Sequence, residues 1–325
     1  MTTPQDTTPG VPPTKERPED IRAVPVRHPG RWVAIACIAV LAAMFLHAMI
    51  TNSVLHWDVV GQVFTYPTVI QGMEKTLLLT LCAMVLGIVG GVLLAVMRLS
   101  RNPVLSGVSW LYIWVFRGTP VLVQLFFWNF MGAIFPKVGL GIPFGPTWVS
   151  WNYNDLVPLF MVCVLGLGLN EAAYFAEIVR AGILSVDEGQ AEAAASLGLT
   201  HAQTLRRIVL PQAMRVIIPP AGNETISMLK TTSLVSAIAF EELTRAGQDI
   251  GARTLYIIPS LIAVSLWYLL FTSILSVGQF YIERHYGRGT NRALPATPWQ
   301  KVKSNVLTLR LRSTGNTGGT IGGSL

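Results

Sequence analysis

Six stretches of this chain read as membrane spans, several of them apolar for close to twenty residues, the length a helix needs to cross the hydrocarbon core of a bilayer, and the fifth so polar that it should line an internal path or a subunit interface. They run from Trp32 to Ile50, Thr76 to Met97, roughly 120 to 135, Leu156 to about Ala176, roughly 217 to 240, and Tyr256 to Gly278. Lipid offers no partner for a free backbone N–H or C=O, so each stretch is expected to be helical. The fold class that follows is all-α: a polytopic transmembrane helical bundle of six spans. Composition agrees, with 51% apolar and only 13% charged residues, about half the charged share of a soluble domain.

A net charge of +7 invites a nucleic-acid reading, but the basic residues lie between apolar runs and at both ends. That placement follows the positive-inside rule, and no nucleic-acid partner is expected. Six spans put both termini on one side. Nineteen Lys and Arg fall on that side, Arg117 among them, against Lys75, Lys137, Arg245 and Arg253 on the other. Charge therefore orients both termini, and the segment between spans four and five, to the cytoplasm.

Residues 1–30 hold seven prolines and almost no apolar pattern, as expected of a disordered cytoplasmic tail rather than a secretory signal. Residues 31–67 comprise the first span and an external connection, with polar chain continuing to 75 and a break at Tyr66-Pro67. Gly87 and Gly91, four apart on span two, let helix backbones approach closely. Trp110, Tyr112 and Trp114 suit the membrane interface, and Arg117-Gly118-Thr119-Pro120 then breaks the chain before span three. Residues 136–155, rich in Gly and Pro, read as a loop. From Glu283 the chain turns basic, then rich in Gly, Ser and Thr, and a disordered cytoplasmic tail is expected, 289–325 at its core.

Cys37, Cys82 and Cys163 lie inside apolar spans with no CxxC spacing, which speaks for packing and against disulfides or a metal. No Gly-Lys-Ser/Thr phosphate loop occurs, so ATP hydrolysis by that route is excluded from this chain.

Ionisable groups inside a bilayer are costly and are functional candidates by default. Here they are Glu171 on span four, and Glu224 and Lys230 on span five, with Asn170 and Asn223 beside them. Two readings stand: a carboxylate and an ammonium that hold an amino acid's opposite charges, or charges that pair across helices. Glu224 and Lys230, six apart, do not share a helix face. Arg180 reads as an interface anchor.

Residues 187–211 form a polar island. Gln190 to Leu197 favours a short helix, Gly198 supplies a left-handed stop, and Thr200 can cap a second helix that Pro211 stops or kinks. Within it, Glu192-Ala193-Ala194, three residues, Gly198, nine residues, Ile208, one residue and Leu210-Pro211 resembles the EAA loop of binding-protein-dependent ABC transporter permeases. The tetrapeptide at 117–120, the run Ala173 to Arg180, and Gly222 to Leu234 resemble that family's polar amino acid branch. The likeness covers about 68–288, leaving the first span outside a type I ABC importer permease core.

The resemblance implies a subunit of the bacterial inner membrane that imports a polar or charged amino acid by alternating access and is no enzyme. It implies partner ATPase subunits that bind ATP and magnesium, an extracytoplasmic substrate-binding protein, and a second permease, copy or paralogue. It implies no cofactor in this chain. Glu192, Ala193, Ala194, Gly198, Ile208, Leu210 and Pro211, with Arg206 and Arg207, would couple to the ATPase. Asn170, Glu171, Asn223, Glu224 and Lys230 would line the substrate path. Rival readings are a permease for a peptide or opine, a proton-coupled secondary transporter, and a purely structural membrane subunit.

Overall fold

The computed structural model describes residues 29–142 and 147–286. Both expected tails, apart from a few residues at their inner edges, lie outside the described residues. The chain divides into two compact units after Leu55. In the first, α1 (Pro29–Thr51) is followed by a 3-10 turn at Ser53–Leu55. Apolar residues surround α1 on every side, and nearly all its side chains, Cys37 included, are exposed. A helix of this length and character suits lipid contact.

The second unit begins with α2 (Trp57–Phe64) and α3 (Pro67–Arg98), so the expected polar connection at 51–75 is largely helical. Pro67 starts α3 where its missing N–H costs nothing. Then come α4 (Pro103–Gly118), capped by the Asn102 side chain, which accepts from Val104 N–H at 2.9 Å, and α5 (Val121–Ile134). The interfacial aromatics at 110–114 are thus part of a helix, and the third span is half of a bent pair. α4 and α5 meet at 105°.

The expected loop at 136–155 contains an antiparallel pair, β1 (Lys137–Gly141) and β2 (Thr147–Asn152), and a short α6 (Tyr153–Leu156). Next is α7 (Leu159–Leu184), eight residues longer at its C-terminal end than the apolar run suggested, because Glu177 and Arg180 pair with each other at 2.7 Å on the helix.

The polar island gives α8 (Glu188–Ser196) and α9 (His201–Thr204). A π-helical turn, Leu205–Val209, leads into α10 (Leu210–Thr231), which a 3-10 segment, Thr232–Ile238, extends. Pro211 therefore does not end the helix. It sits in the first turn of α10, and the wider π turn before it absorbs the ring that would clash with an α-helical carbonyl. The chain closes with α11 (Leu243–Thr254) and α12 (Ile257–Tyr286); the latter runs past Glu283, where a tail was expected.

Among the described residues α1, α3, α7 and α12 are each long and apolar enough to cross a membrane, and the bent α4–α5 pair makes a fifth candidate. The remaining expected span, 217–240, is helical as α10 and its extension but too polar to qualify by apolarity. α3 and α7 form the centre of the second unit. Gly91 is what lets them close: a Cβ there would meet Phe175 Cβ at 2.7 Å and two backbone atoms of α7 at 3.0 Å. Around this pair, Leu79, Leu125, Leu167 and Val235 fill one cluster, and Ala95, Phe175, Ala213 and Ile217 another. Cys163 packs in the first, as its setting suggested. α2, α11 and α12 gather on the other side of α3 around Val69, Leu243 and Ala263.

Candidate functional site

The bend between α4 and α5 follows from Pro120, which cannot donate to the helix before it. Breaking a helix inside an apolar bundle frees carbonyls, and here side chains take them up. Gln124, buried, donates through its amide nitrogen to Phe116 O at 2.9 Å, Thr119 O at 3.1 Å and Thr119 Oγ1 at 2.7 Å. Asn170 on α7 donates to the same Phe116 carbonyl at 2.9 Å and to Gln124 Oε1 at 3.2 Å. Non-helical backbone at this depth is tolerated where protein satisfies it or where it lines a cavity. Both conditions hold.

A cavity of about 620 Å³ opens at the break. Arg117, Thr119 and Pro120 line it from the bend, Asn170, Glu171 and Tyr174 from α7, and Glu224, Ser227 and Thr231 from α10. The Arg117 guanidinium lies over the Tyr174 ring, 5.1 Å from its centroid, a cation–π contact that holds the positive group beside the opening.

Glu171 is 5% exposed, and its Oε1 has no hydrogen-bond partner among the described residues. It reaches this depth because α3 offers a glycine: a Cβ on Gly87 would lie 2.5 Å from Glu171 Cγ and 2.8 Å from its Cβ. A buried carboxylate oxygen without a donor is costly. Glu171 itself lies on the wall of the cavity.

Of the five residues expected on the substrate path, the cavity gathers Asn170, Glu171 and Glu224. Asn170 spends its donor on the broken helix. Asn223 and Lys230 are exposed on α10 and do not line the cavity. Among the described residues no ion pair joins Glu224 to Lys230. Sequence reading placed Arg117 among the cytoplasmic charges, and passed over Thr119, Gln124 and Tyr174. The proline after Arg117-Gly118-Thr119 was the available signal, since a break inside an apolar region exposes whatever flanks it.

The hairpin at 187–211 has the local chemistry its sequence implied. Asp187 caps α8 by accepting from Gly189 N–H at 2.8 Å. Gly198 takes φ +78°, the left-handed region open to glycine. Thr200 and Gln203 form a reciprocal capping box that starts α9. Glu192 and Ala193 are exposed, as are Arg206, Arg207, Leu210 and Pro211; Ile208 is half-buried and Ala194 is buried. α8 thus offers a free polar edge above one inward-turned methyl.

A second buried acid, Glu242, escaped sequence reading. It caps α11, accepting at 2.8 Å from both Thr244 N–H and Arg245 N–H, at 3.0 Å from the Tyr268 hydroxyl and at 3.3 Å from the Thr76 hydroxyl. Burial pushes this carboxyl above the ordinary range, and the four donors pull it back.

Comparison with known proteins matches residues 87–288 to the family described as binding-protein-dependent transport system inner membrane component. The arginine transport system permease protein ArgU of Corynebacterium glutamicum is 48% identical over 282 residues, covering 86% of this chain and 87% of that one. The L-cystine transport system permease protein TcyB of Bacillus subtilis is 38% identical over 249 residues, 75% of this chain and 98% of its own. This chain belongs to that permease family. Among solved structures, an amino acid ABC transporter crystallised with histidines superposes on the permease with a TM-score of 0.57 at 38% identity, over 67% of this chain and 94% of that one. An inward-facing MetNI methionine ABC transporter shares the fold at 20% identity, with a TM-score of 0.52. The permease is a transport component, embedded in the membrane by several helices, as the sequence led us to expect.

Proposed function

We propose that this permease imports a cationic amino acid through the cavity at the α4–α5 bend, driven by ATP hydrolysis on a separate subunit. The carrying observation is the unpartnered oxygen of Glu171 on that cavity's wall. Two acidic side chains, Glu171 and Glu224, and one guanidinium, Arg117, line the cavity together. The carboxylates suit an ammonium or guanidinium on the substrate, and Arg117 suits its carboxylate. The relative named for arginine transport points to the same class of solute, and the one named for cystine transport to an amino acid more generally.

Coupling belongs to the hairpin. In this reading Glu192, Ala193 and Ala194 seat α8 in a groove on the ATPase, which alone binds ATP and magnesium. Gly198 sets the turn, and Arg206, Arg207, Ile208, Leu210 and Pro211 carry movement into α10, whose Glu224 lines the cavity. The hairpin and both termini are then cytoplasmic, a substrate-binding protein docks outside, and a second permease completes the passage. Asn223 and Lys230, exposed on α10, face that second subunit or the shared path.

The test is uptake into proteoliposomes holding the permease, its ATPase and its binding protein. Glu171→Gln should lower uptake of a cationic amino acid at least about tenfold, a loss of roughly 1.4 kcal/mol of differential stabilisation. An unchanged rate and an unchanged preference for cationic over neutral substrates would discard the proposal.

A further inference from the structure

The hairpin of β1 and β2 has a face that nothing among the described residues covers. Its register pairs Val138 with Trp151 and Leu140 with Val149, while Lys137 opposes Asn152 and Gly139 opposes Ser150. Directly opposed residues share a face, and faces alternate along a strand. One face is therefore wholly apolar, Val138, Leu140, Val149 and Trp151, and the other is polar. All four apolar residues are exposed. An irregularity between Leu140 and Gly141 leaves Trp148 unpaired, and it is 73% exposed.

An isolated two-stranded hairpin is marginal in water, so a face like this needs a neighbour. Its position names one. The base of the hairpin is tied to the end of α5: Tyr153 donates through its backbone to Pro136 O at 3.0 Å and through its hydroxyl to Trp128 O at 3.3 Å. α5 presents an outward apolar stripe, Val123, Phe127, Phe130 and Ile134, at helical spacing. That stripe runs straight into the hairpin, which then leads back to α7, a helix of membrane-crossing length. The hairpin therefore stands at the end of a lipid-facing surface. Tryptophan is the residue favoured at that boundary, and a lysine beside it can reach lipid phosphate.

We propose that this hairpin is an interfacial anchor: its Val138–Leu140–Val149–Trp151 face lies in the phospholipid headgroup zone, with Trp148 and Lys137 at its rim. Bound there, it fixes the exit of α5 and hence the outer arm of the bend that frames the cavity.

Nitroxide labels test it on the full permease complex in phospholipid nanodiscs, in a background with Cys37, Cys82 and Cys163 replaced by alanine. A label at Val149→Cys should be relaxed mainly by oxygen, which concentrates in lipid. One at Ser150→Cys should be relaxed mainly by a water-soluble nickel chelate. Nickel access at both sites would place the hairpin in water, and access of neither reagent to the 149 label would place that face against protein. Either result overturns the proposal. A second measurement keeps the native cysteines: quenching of tryptophan fluorescence by lipids brominated near the headgroup. The quenched fraction should fall in the double variant Trp148→Phe, Trp151→Phe, and an unchanged fraction would overturn the anchor.

Discussion

Glu171 and Glu242 are the same residue type, both buried, both packed against α3, and they stand in opposite situations. Glu242 accepts four hydrogen bonds, two of them from the first turn of α11, and ties that helix to α3 and α12. Glu171 lies on a cavity wall with an oxygen that no described group satisfies. Burial by itself marks both as exceptional. The inventory of donors separates them: one carboxylate is consumed by the fold, and the other keeps an unpartnered oxygen on a cavity wall. The rule that buried charge signals function therefore holds only after partners are counted.

The largest expected effect breaks the consumed acid. Glu242→Ala strands two backbone donors and two hydroxyls, and should cost about 3–5 kcal/mol, the range for losing one side of a buried charged network. A marked fall in thermal unfolding temperature in detergent is the readout, and an unshifted transition would mean the network contributes nothing. Gly87→Ala comes next. The added methyl meets Glu171 Cγ at 2.5 Å, an overpacking worth about 1–3 kcal/mol, and should lower stability and uptake together. Normal uptake there would show that Glu171 need not stay where it is.

Gly198→Val forces a β-branched residue into the left-handed region at about 1–2 kcal/mol. Insertion should be normal while substrate-stimulated ATP hydrolysis is lost; normal stimulation would remove the hairpin from coupling. The Glu171→Gln variant used above sharpens the contrast with Glu242. Its unfolding temperature should stay within the shift given by roughly 0.5 kcal/mol although transport falls. A large destabilisation would make Glu171 a second structural acid. Smallest is Asn170→Leu, which removes one of two donors to the Phe116 carbonyl and, with Gln124 still donating there, should cost no more than about 0.5 kcal/mol. Its sign is a blurred substrate preference at nearly unchanged stability, and a preference identical to wild type would detach the clamp from the site.

Much of this was legible in the chain. Apolar runs give helices in lipid because nothing else satisfies the backbone there. The turn at Gly198 and the cap at Thr200 are local chemistry, fixed by residues three or four apart. Boundaries were less legible wherever charges found partners on their own helix. Glu177 and Arg180 continue α7 beyond its apolar run, and Gln279, reaching Glu283 at 2.9 Å, does the same for α12. The β1–β2 hairpin was hidden because the Gly and Pro residues beside and between two short strands read as loop until the strands pair with each other.

The site divides the same way. Asn170, Glu171 and Glu224 stood out as polar residues in apolar surroundings, whereas Arg117 and Glu242 did not, since each sits at a helix end where a polar residue is ordinary, and Tyr174 did not, since an aromatic inside a span is ordinary. By itself the sequence determined that this protein is a helical membrane bundle with a polar hairpin between its fourth and fifth spans, because hydropathy and short-range backbone chemistry act within one segment. Only the tertiary structure decided which buried groups are satisfied, that the break at Pro120 opens a cavity, and which acid lines it. Those outcomes depend on donors supplied from helices far apart in the chain, and a linear string does not record which of them meet.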